Sequence, residues 1–300
     1  MVEEIKVKAG VLSQAVRVYG PKDGTPVFLM HGFPYDALSC HEAAVILAGD
    51  GCRVYVPSLR GFGATRFLGA ATCRSGQQAA LAADLLALMN ALSVRRAVLA
   101  GYDWGGRAAC ILAALYPQHV AGLVSCGVGY NIQNIAKSSV PSDPAEEARN
   151  WYQYYFHGAR GRAGLTANRA DLCRLLWRMW SPTWGFDPMD YAASAPSFDN
   201  PDFVDVVIHS YRHRYGLVAG DPAYAEIEEK LAGQPAIPVP SIVLLGQDDG
   251  VTPPVMVDTA AAKFTGPYQR RLVPGAGHNL PQEKPAVFAG AVRHLVAGLV

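Results

Sequence analysis

Apolar runs typical of buried strands alternate with helical patterns along the first third of the chain, and this alternation most limits its fold. Residues 26–30 and 97–100 are two such runs, and residues 77–92 between them have the periodicity of an amphipathic helix. The alternation returns with a strand-like run at residues 241–245 and a predicted helix at 255–264, and it closes with a helical pattern at 286–299. Because parallel strands are buried on both faces and joined by crossovers, the sequence predicts an α/β fold with a doubly wound, mostly parallel sheet.

Residues 130–233 interrupt this pattern with helix-like and loop-like segments rich in aromatic residues. Eight of the fourteen tyrosines and four of the five tryptophans lie between Tyr130 and Tyr224. We therefore predict a core formed by residues 1–129 and 234–300, with an inserted helical cap at 130–233. Ligands of such sheets bind at the carboxyl ends of the strands. A cap over that edge would act as a lid that excludes water.

Composition and charge favour a globular protein with a buried core. Half of the residues are hydrophobic, 17% are charged, and the net charge of +1 favours neither nucleic acid nor an anionic membrane as a partner. Residues 1–6 lack the apolar stretch of a secretory signal, and no apolar run is long enough to span a bilayer. The six cysteines are scattered and form no CxxC pair. We expect a cytoplasmic protein, with a homodimer as one option.

The segment Gly101-Tyr102-Asp103-Trp104-Gly105 follows an apolar strand pattern and precedes a helical pattern that we expect at 108–115. This is the arrangement of a nucleophile elbow, with aspartate where esterases place serine. The chain contains no GxSxG segment, which disfavours a serine esterase or lipase. The alternative is a plain turn in which Asp103 caps a helix.

Two further segments supply the expected partners of Asp103. His278 follows the last predicted strand at 269–273, and the pair Asp248 and Asp249 follows the strand at 241–245. The order nucleophile, acid, histidine is typical of this kind of site. The spacing Gly-x-x-Asp favours Asp249 as the acid and leaves Asp248 in reserve.

His31-Gly32-Phe33-Pro34 follows the strand at 26–30, where one donor of an oxyanion hole is expected. The residue after the nucleophile supplies the second donor, so we predict the backbone amides of Phe33 and Trp104. Their side chains are also candidates for substrate contact, and simple packing is the alternative role for Phe33.

Five segments carry a family resemblance: HGFP (31–34), RGFG (60–63), GYDWGG (101–106), GQDD (246–249) and GAGH (275–278). Together they resemble the branch of the α/β hydrolases that contains epoxide hydrolases and haloalkane or haloacetate dehalogenases, with epoxide hydrolases closest. The resemblance implies an α/β-hydrolase fold and the opening of a small apolar epoxide by water to a vicinal diol. It implies no metal or organic cofactor.

The resemblance also gives the aspartate its chemical role. Attack by a carboxylate on an sp³ carbon leaves an ester, which water can hydrolyse at the carbonyl of the carboxylate itself. Asp103 would form this alkyl-enzyme ester, and His278, oriented by Asp249, would activate the water. Serine in the same place would leave an ether, which water does not easily cleave.

Epoxide hydrolases use two cap tyrosines to protonate the oxirane oxygen. The segment at 151–156 resembles the first of these sites and points to Tyr152, and Ser210-Tyr211-Arg212 resembles the second and points to Tyr211. Both are therefore candidates for catalysis and for substrate binding. The neighbouring tyrosines at positions 154, 155 and 215 are expected to be packing residues.

Two other functions stay open at this point. A dehalogenase would use the same nucleophile; fluoroacetate dehalogenases have arginine after it and again three residues later, whereas this chain has Trp104 and Arg107. They also have a cap histidine where this chain has Tyr152, so a carboxylate substrate is disfavoured. The second alternative is a non-catalytic, hydrolase-like binding protein, against which the complete set of Asp103, Asp249 and His278 argues.

Overall fold

Nine strands form a single sheet in the computed structural model, which describes residues 2–255 and 258–299. The strands are β1 (Glu3–Ala9), β2 (Leu12–Tyr19), β3 (Thr25–Met30), β4 (Cys52–Pro57), β5 (Arg66–Phe67), β6 (Ala97–Tyr102), β7 (Val120–Cys126), β8 (Ser241–Gly246) and β9 (Tyr268–Val273). Their order across the sheet is β1-β2-β4-β3-β6-β7-β8-β9, and the short β5 pairs with β2.

The pairing changes from antiparallel to parallel across the sheet. The pairs β1–β2 and β2–β4 are antiparallel, and every pair from β4–β3 to β8–β9 is parallel. Strands β6, β7 and β8 are buried along their whole length, as expected for strands covered on both faces. The predicted mostly parallel α/β sheet is confirmed. The carboxyl ends of β3 and β6 lie side by side, with Met30 opposite Gly101.

Eleven α-helices are present among the described residues. They are α1 (His41–Gly49), α2 (Gln78–Ala91), α3 (Asp103–Leu115), α4 (Pro144–Arg149), α5 (Trp151–Tyr155), α6 (Ala159–Trp180), α7 (Pro188–Ser194), α8 (Phe203–His213), α9 (Ala225–Ala232), α10 (Leu280–Glu283) and α11 (Pro285–Ala297). Helices α4 to α9 all lie between β7 and β8 in the chain. The cap boundaries at 130 and 233 stay a prediction. In residues 2–255 and 258–299, no helix has both the length and the apolarity needed to cross a bilayer.

Helix α3 begins five residues earlier than the helical pattern at 108–115 predicts. Gly105 and Gly106 disfavour a helix in sequence because glycine loses more conformational freedom than other residues. Here the absence of a side chain is what allows the helix to pack: a Cβ on Gly105 would collide with the backbone of Met30 and His31. The close packing of α3 on β3 therefore outweighs the low helix propensity of these two glycines.

A helix predicted from the pattern at 255–264 is wrong where it can be assessed. Residues 256 and 257 lie outside the described residues, and residues 258–264 form a turn and a short 3₁₀-helix, Ala261–Lys263. The Asp258 carboxylate accepts a hydrogen bond from the Ala261 amide at 3.1 Å and another from the Tyr268 hydroxyl at 2.7 Å. Such side-chain bonds to the local backbone compete with helix formation.

A buried ion pair links the core to the segment that carries α9. Arg60 binds both carboxylate oxygens of Asp84, at 2.6 and 2.7 Å, and donates to the Tyr224 hydroxyl at 3.1 Å. Because Arg60 is fully buried, loss of either charged partner would leave the other uncompensated, at a cost of about 3–5 kcal/mol. These hydrogen bonds hold the loop after β4, which carries Arg60, against the segment before α9.

Candidate active site

Asp103 lies at the junction of β6 and α3 with a left-handed backbone, at φ +48°. Few side chains tolerate this conformation, and aspartate is among the more tolerant ones. A Cβ on Gly32 would collide with the Asp103 side chain, so glycine is required there for the two loops to approach. One carboxylate oxygen, Oδ1, accepts a hydrogen bond from the Phe33 amide at 2.8 Å. The strained turn thus holds the carboxylate against the loop after β3.

His278 lies between two carboxylates. Its Nδ1 is 2.8 Å from Asp249 Oδ2, and its Nε2 is 3.8 Å from Asp103 Oδ2. The structure therefore brings Asp103, Asp249 and His278 together. Asp248 instead accepts a hydrogen bond from the Thr183 hydroxyl at 2.8 Å on the surface. Only the second aspartate of the pair thus contacts the imidazole among the described residues.

The Asp249 carboxylate is saturated with hydrogen bonds. Oδ1 accepts from the amides of Val251 and Thr252 at 2.9 and 2.7 Å, and Oδ2 accepts from the Thr252 hydroxyl at 2.7 Å as well as from His278. Burial opposes ionisation, but His278 and the Thr252 donors together hold the pKa of Asp249 below its usual value. The acid is therefore a fixed anion.

The charges of the three groups support one another. Burial would raise the pKa of Asp103, but His278 and Arg107, with the Phe33 amide, lower it below its ordinary value. Burial disfavours the charged imidazole, yet Asp249 and then Asp103 raise the pKa of His278 to about 10. At neutral pH the unliganded site therefore contains two carboxylates with an imidazolium between them.

The loop after β3 is held by a neutral histidine. His31 Nε2 accepts a hydrogen bond from the Leu59 amide at 3.0 Å, and burial lowers the pKa of His31 to about 4. This bond fixes the position of the Phe33 amide. The second predicted oxyanion donor, the Trp104 amide, makes no hydrogen bond to the Asp103 carboxylate among the described residues. Its role stays a prediction.

The two cap tyrosines contact each other. The rings of Tyr152 on α5 and Tyr211 on α8 lie 5.4 Å apart at 83°. The Tyr152 hydroxyl oxygen accepts a hydrogen bond from Gln153 Nε2 at 3.1 Å, whereas the Tyr211 hydroxyl is buried with no partner among the described residues. Burial raises the pKa of both phenols above the ordinary value, so both keep their protons at neutral pH.

A cavity of about 100 Å³ lies beside Asp103, and its wall also includes His278, Tyr152, Arg107 and Arg214. Asp103, which is the predicted nucleophile, therefore lines the same cavity as the His278 imidazole and one of the predicted proton donors.

The side chains of Phe33, Trp104 and Tyr211 pack together behind this cavity instead of lining it. The Phe33 ring lies 5.6 Å from Trp104 and 5.4 Å from Tyr211, and all three side chains are fully buried. The predicted substrate contacts of these three residues are therefore not tested by the cavity and stay predictions.

A wider recess of about 700 Å³ adjoins the small cavity. The two spaces share five wall residues, namely Asn150, Gln153, Arg214, Val251 and Thr252. Arg214 therefore lies at the boundary between the recess and the cavity that holds Asp103.

Three residues of the site were not predicted. Gln153 directly follows Tyr152 in the sequence, and Arg214 lies one helical turn after Tyr211. These positions are the signal that could have identified the two residues. Trp180 had no such signal. Its carbonyl oxygen accepts from the amides of Gly250 and His278 at 2.9 and 3.2 Å, and this contact exists only because the end of α6 docks on the two loops.

Comparisons with known proteins agree with this geometry. Residues 25–285 match the family model described as alpha/beta hydrolase fold. The chain is 28% identical to Epoxide hydrolase A of Mycobacterium tuberculosis over 304 aligned positions, which cover 92% of each chain. A crystal structure from Klebsiella pneumoniae, of a protein provisionally named an epoxide hydrolase, is 45% identical with a TM-score of 0.95 and covers 98% of this chain and 96% of its own.

A more distant structure resembles the chain in fold alone. Epoxide Hydrolase A from Mycobacterium thermoresistibile is 23% identical, with a TM-score of 0.78 and 99% of both chains covered. The predicted fold class and family are confirmed by these matches.

Proposed function

Because this chain belongs to the α/β-hydrolase family of enzymes, we propose that it hydrolyses an epoxide to a vicinal diol. The observation that carries this proposal is the shared cavity, in which the Asp103 carboxylate, His278 and Tyr152 face one another and Tyr211 packs on Tyr152. The relatives from Mycobacterium tuberculosis and Klebsiella pneumoniae, which match over almost the whole chain, carry epoxide hydrolase names.

In the first step the ring opens. Asp103 Oδ2, which is not the oxygen bonded to the Phe33 amide, attacks a ring carbon and forms a C–O bond. The ring C–O bond breaks, and the oxirane oxygen takes a proton from Tyr152 or Tyr211. Gln153 donates to the Tyr152 oxygen, which leaves the phenolic hydrogen free for the substrate. General-acid help of this kind contributes typically about 10²- to 10⁴-fold.

In the second step water hydrolyses the ester. His278 takes a proton from water, the oxygen of which attacks the carboxyl carbon of Asp103. The Phe33 amide, with the Trp104 amide as the second predicted donor, stabilises the oxyanion on Oδ1. The carboxyl C–Oδ2 bond then breaks, and the departing alkoxide oxygen takes the acidic proton of the new carboxyl group to complete the diol. Asp103 is left as a carboxylate in which one oxygen comes from water.

The protonation state of His278 changes between these two steps. Asp249 and Asp103 together hold the pKa of His278 at about 10, so the imidazole is protonated in the free enzyme. Esterification removes the negative charge of Asp103 and with it one cause of the raised pKa. The pKa of His278 therefore falls after the ester forms, so the imidazolium can return a proton to the tyrosinate left by ring opening and then act as the base of the second step.

The test is to trap the ester. His278→Gln treated with styrene oxide is expected to gain the mass of one substrate molecule on the peptide that contains Asp103. Asp103→Ala is expected to gain none, and wild-type enzyme is expected to release the diol. His119→Gln is the matched control, because His119 lies on the surface and bonds the Arg95 carbonyl at 2.8 Å. Absence of an adduct from a folded His278→Gln variant across several epoxides would refute the mechanism.

One observation favours a dehalogenase as the second candidate. The indole N–H groups of Trp104 and Trp180 are buried with no hydrogen-bond partner among the described residues, and both rings pack against Phe33. Such donors could hold a departing halide ion. Halide release from haloalkanes and fluoroacetate, measured beside diol formation, separates the two activities. A folded protein that binds these compounds and converts none would be a binding protein instead.

A further inference from the structure

Two guanidinium groups reach the cavity that holds the nucleophile. Arg107 projects from α3 one helical turn after Asp103, and Arg214 lies just after α8, at the boundary with the outer recess. Arg107 helps to keep Asp103 ionised, but the mechanism proposed above gives neither guanidinium a contact with the substrate. Both side chains therefore need a separate explanation.

Neither arginine has a carboxylate partner within salt-bridge distance among residues 2–255 and 258–299. Arg107 donates to the Asn131 side-chain oxygen at 3.3 Å, and Arg214 donates to Gln153 Oε1 at 3.4 Å and to the Ser210 hydroxyl at 3.3 Å. The Nε atoms of both arginines are buried without a partner. The Arg214 guanidinium also lies 4.2 Å from the centre of the Tyr211 ring, a cation–π contact that uses none of its N–H donors. Long, neutral contacts of this kind leave donors of both guanidiniums available to a stronger acceptor.

The two cations also repel each other. Burial and then Arg214 lower the pKa of Arg107 to about 10, which still leaves it charged at neutral pH. With His278 protonated, the site holds three positive groups against the two carboxylates of Asp103 and Asp249. The wall of the small cavity therefore carries more cationic side chains than carboxylates, which favours an anionic ligand.

We propose that Arg107 and Arg214 bind a carboxylate on the substrate, so that the enzyme acts on a short epoxy acid. The proposal rests on the epoxide hydrolase activity proposed above. It departs from the sequence-based expectation of an apolar epoxide, which disfavoured a carboxylate on the basis of Trp104, Arg107 and Tyr152 and did not consider Arg214. Arg214 supplies the second cation from a different element.

The charges of the reaction itself support this substrate class. An anionic substrate must approach the anionic Asp103, and the two guanidiniums offset that repulsion, whereas a neutral epoxide would need no such compensation. A planar guanidinium also matches a carboxylate better than any neutral group, because it can donate two parallel hydrogen bonds.

The small cavity beside Asp103 suits a short epoxy acid, and a longer substrate would extend into the adjoining recess. A space of about 100 Å³ suits a molecule with few atoms besides the ring and the acid group. Glycidate, the acid of a three-carbon epoxide, is such a molecule. Its amide, glycidamide, has nearly the same shape and no charge, so the pair isolates the effect of the carboxylate.

The experiment compares kcat/KM for glycidate and glycidamide in the full-length enzyme. We expect a preference for glycidate of about 10- to 100-fold, the range of hydrogen bonds to charged groups. Arg107→Met and Arg214→Met should each lower this preference by about 10-fold, and Arg107→Lys should restore part of it. If Arg107 only supported the Asp103 anion, its loss would slow both substrates alike and leave the preference unchanged.

Arg96→Met is the matched control. Arg96 is exposed directly before β6, at the sheet edge opposite the carboxyl ends of the strands, so the variant removes one charge far from the cavity. It should keep the full preference. An equal loss in Arg96→Met and Arg107→Met would assign the effect to overall charge and overturn the proposal.

A binding measurement on the wild-type enzyme does not depend on how the variants fold. Propanoate should inhibit glycidamide turnover competitively, and propanamide at the same concentration should not. Equal turnover of glycidate and glycidamide would overturn the carboxylate site and leave epoxide hydrolysis intact. Failure to convert glycidate, glycidamide and styrene oxide would instead overturn the epoxide hydrolase function, and the substrate class with it.

Discussion

The two sides of the site differ in how fully their oxygen atoms are bonded; we call them the core wall (Asp103, Asp249 and His278) and the cap wall (Tyr152, Tyr211 and Arg214). On the core wall, Asp249 accepts four hydrogen bonds and Asp103 accepts one from the Phe33 amide. On the cap wall, the Tyr211 hydroxyl, which packs on Tyr152 behind the cavity, has no partner among the described residues. Groups that are bonded in advance need no rearrangement during reaction. We therefore expect the core wall to hold its charges in fixed positions and the cap wall to bind and protonate the substrate.

The largest effect is expected from loss of charge on the core wall. Asp249→Asn keeps the size of the side chain but removes the anion that orients His278, so ester hydrolysis should slow by about 10³- to 10⁴-fold. Rapid-quench experiments with mass detection should show the ester accumulating. Asp248→Asn, one residue away, should change the rate by less than about twofold, as is usual for a surface group. Similar losses in both variants would mean that the core wall does not depend on one fixed acid.

The next largest effect concerns the two cap phenols. Tyr152→Phe and Tyr211→Phe should each slow ester formation by about 10²-fold, the lower end of general-acid contributions, because the second hydroxyl partly replaces the first. The double variant should lose more than either single one. Stopped-flow measurement of the alkylation step gives these rates, with Tyr215→Phe as the control. A loss confined to one tyrosine would show that the cap wall acts through a single donor.

A third prediction separates the walls by pH. Ester hydrolysis needs neutral His278, so its rate should fall about tenfold per pH unit below the pKa of His278 in the ester form. That pKa is lower than the value of about 10 in the free enzyme, because the ester removes the charge of Asp103. Ester formation, which uses ionised Asp103 and protonated tyrosines, should be nearly constant from neutral to mildly alkaline pH. If both steps had the same pH profile, the claim that only ester hydrolysis needs neutral His278 would be contradicted.

The difference between the core wall and the cap wall also explains which parts of the site could be predicted from the sequence. Asp103, Asp249 and His278 each follow a strand, and parallel strands deliver their carboxyl ends to one edge, so short local motifs were enough to predict their proximity. The contact between Trp180 and the loops of Gly250 and His278 depends on how the cap docks, which no local pattern records. The docking of Arg214 against the nucleophile cavity is of the same kind.

Two helix predictions differ from the structure for related reasons. Helix α3 was predicted too short because two glycines count against a helix until their packing on β3 is known. The helix predicted at 255–264 was wrong because the Asp258 carboxylate accepts hydrogen bonds from the Ala261 amide and the Tyr268 hydroxyl, contacts that apolar periodicity does not reveal. In both cases tertiary or side-chain contacts outweighed the local preference.

The smallest effect tests whether the cap wall is oriented by its own hydrogen bonds. Gln153 donates to Tyr152 through Nε2 and accepts from Arg214 through Oε1, so it sets the direction of one phenolic hydrogen and one guanidinium. Gln153→Leu keeps the bulk but frees Tyr152 to turn its hydrogen elsewhere, and should slow ester formation by about three- to tenfold, as for a neutral hydrogen bond. Ester hydrolysis should be unchanged, because it depends on the core wall. Gln269→Leu, at an exposed position of β9, is the control. If Gln153→Leu slowed both steps equally, the two walls would not act separately in the reaction.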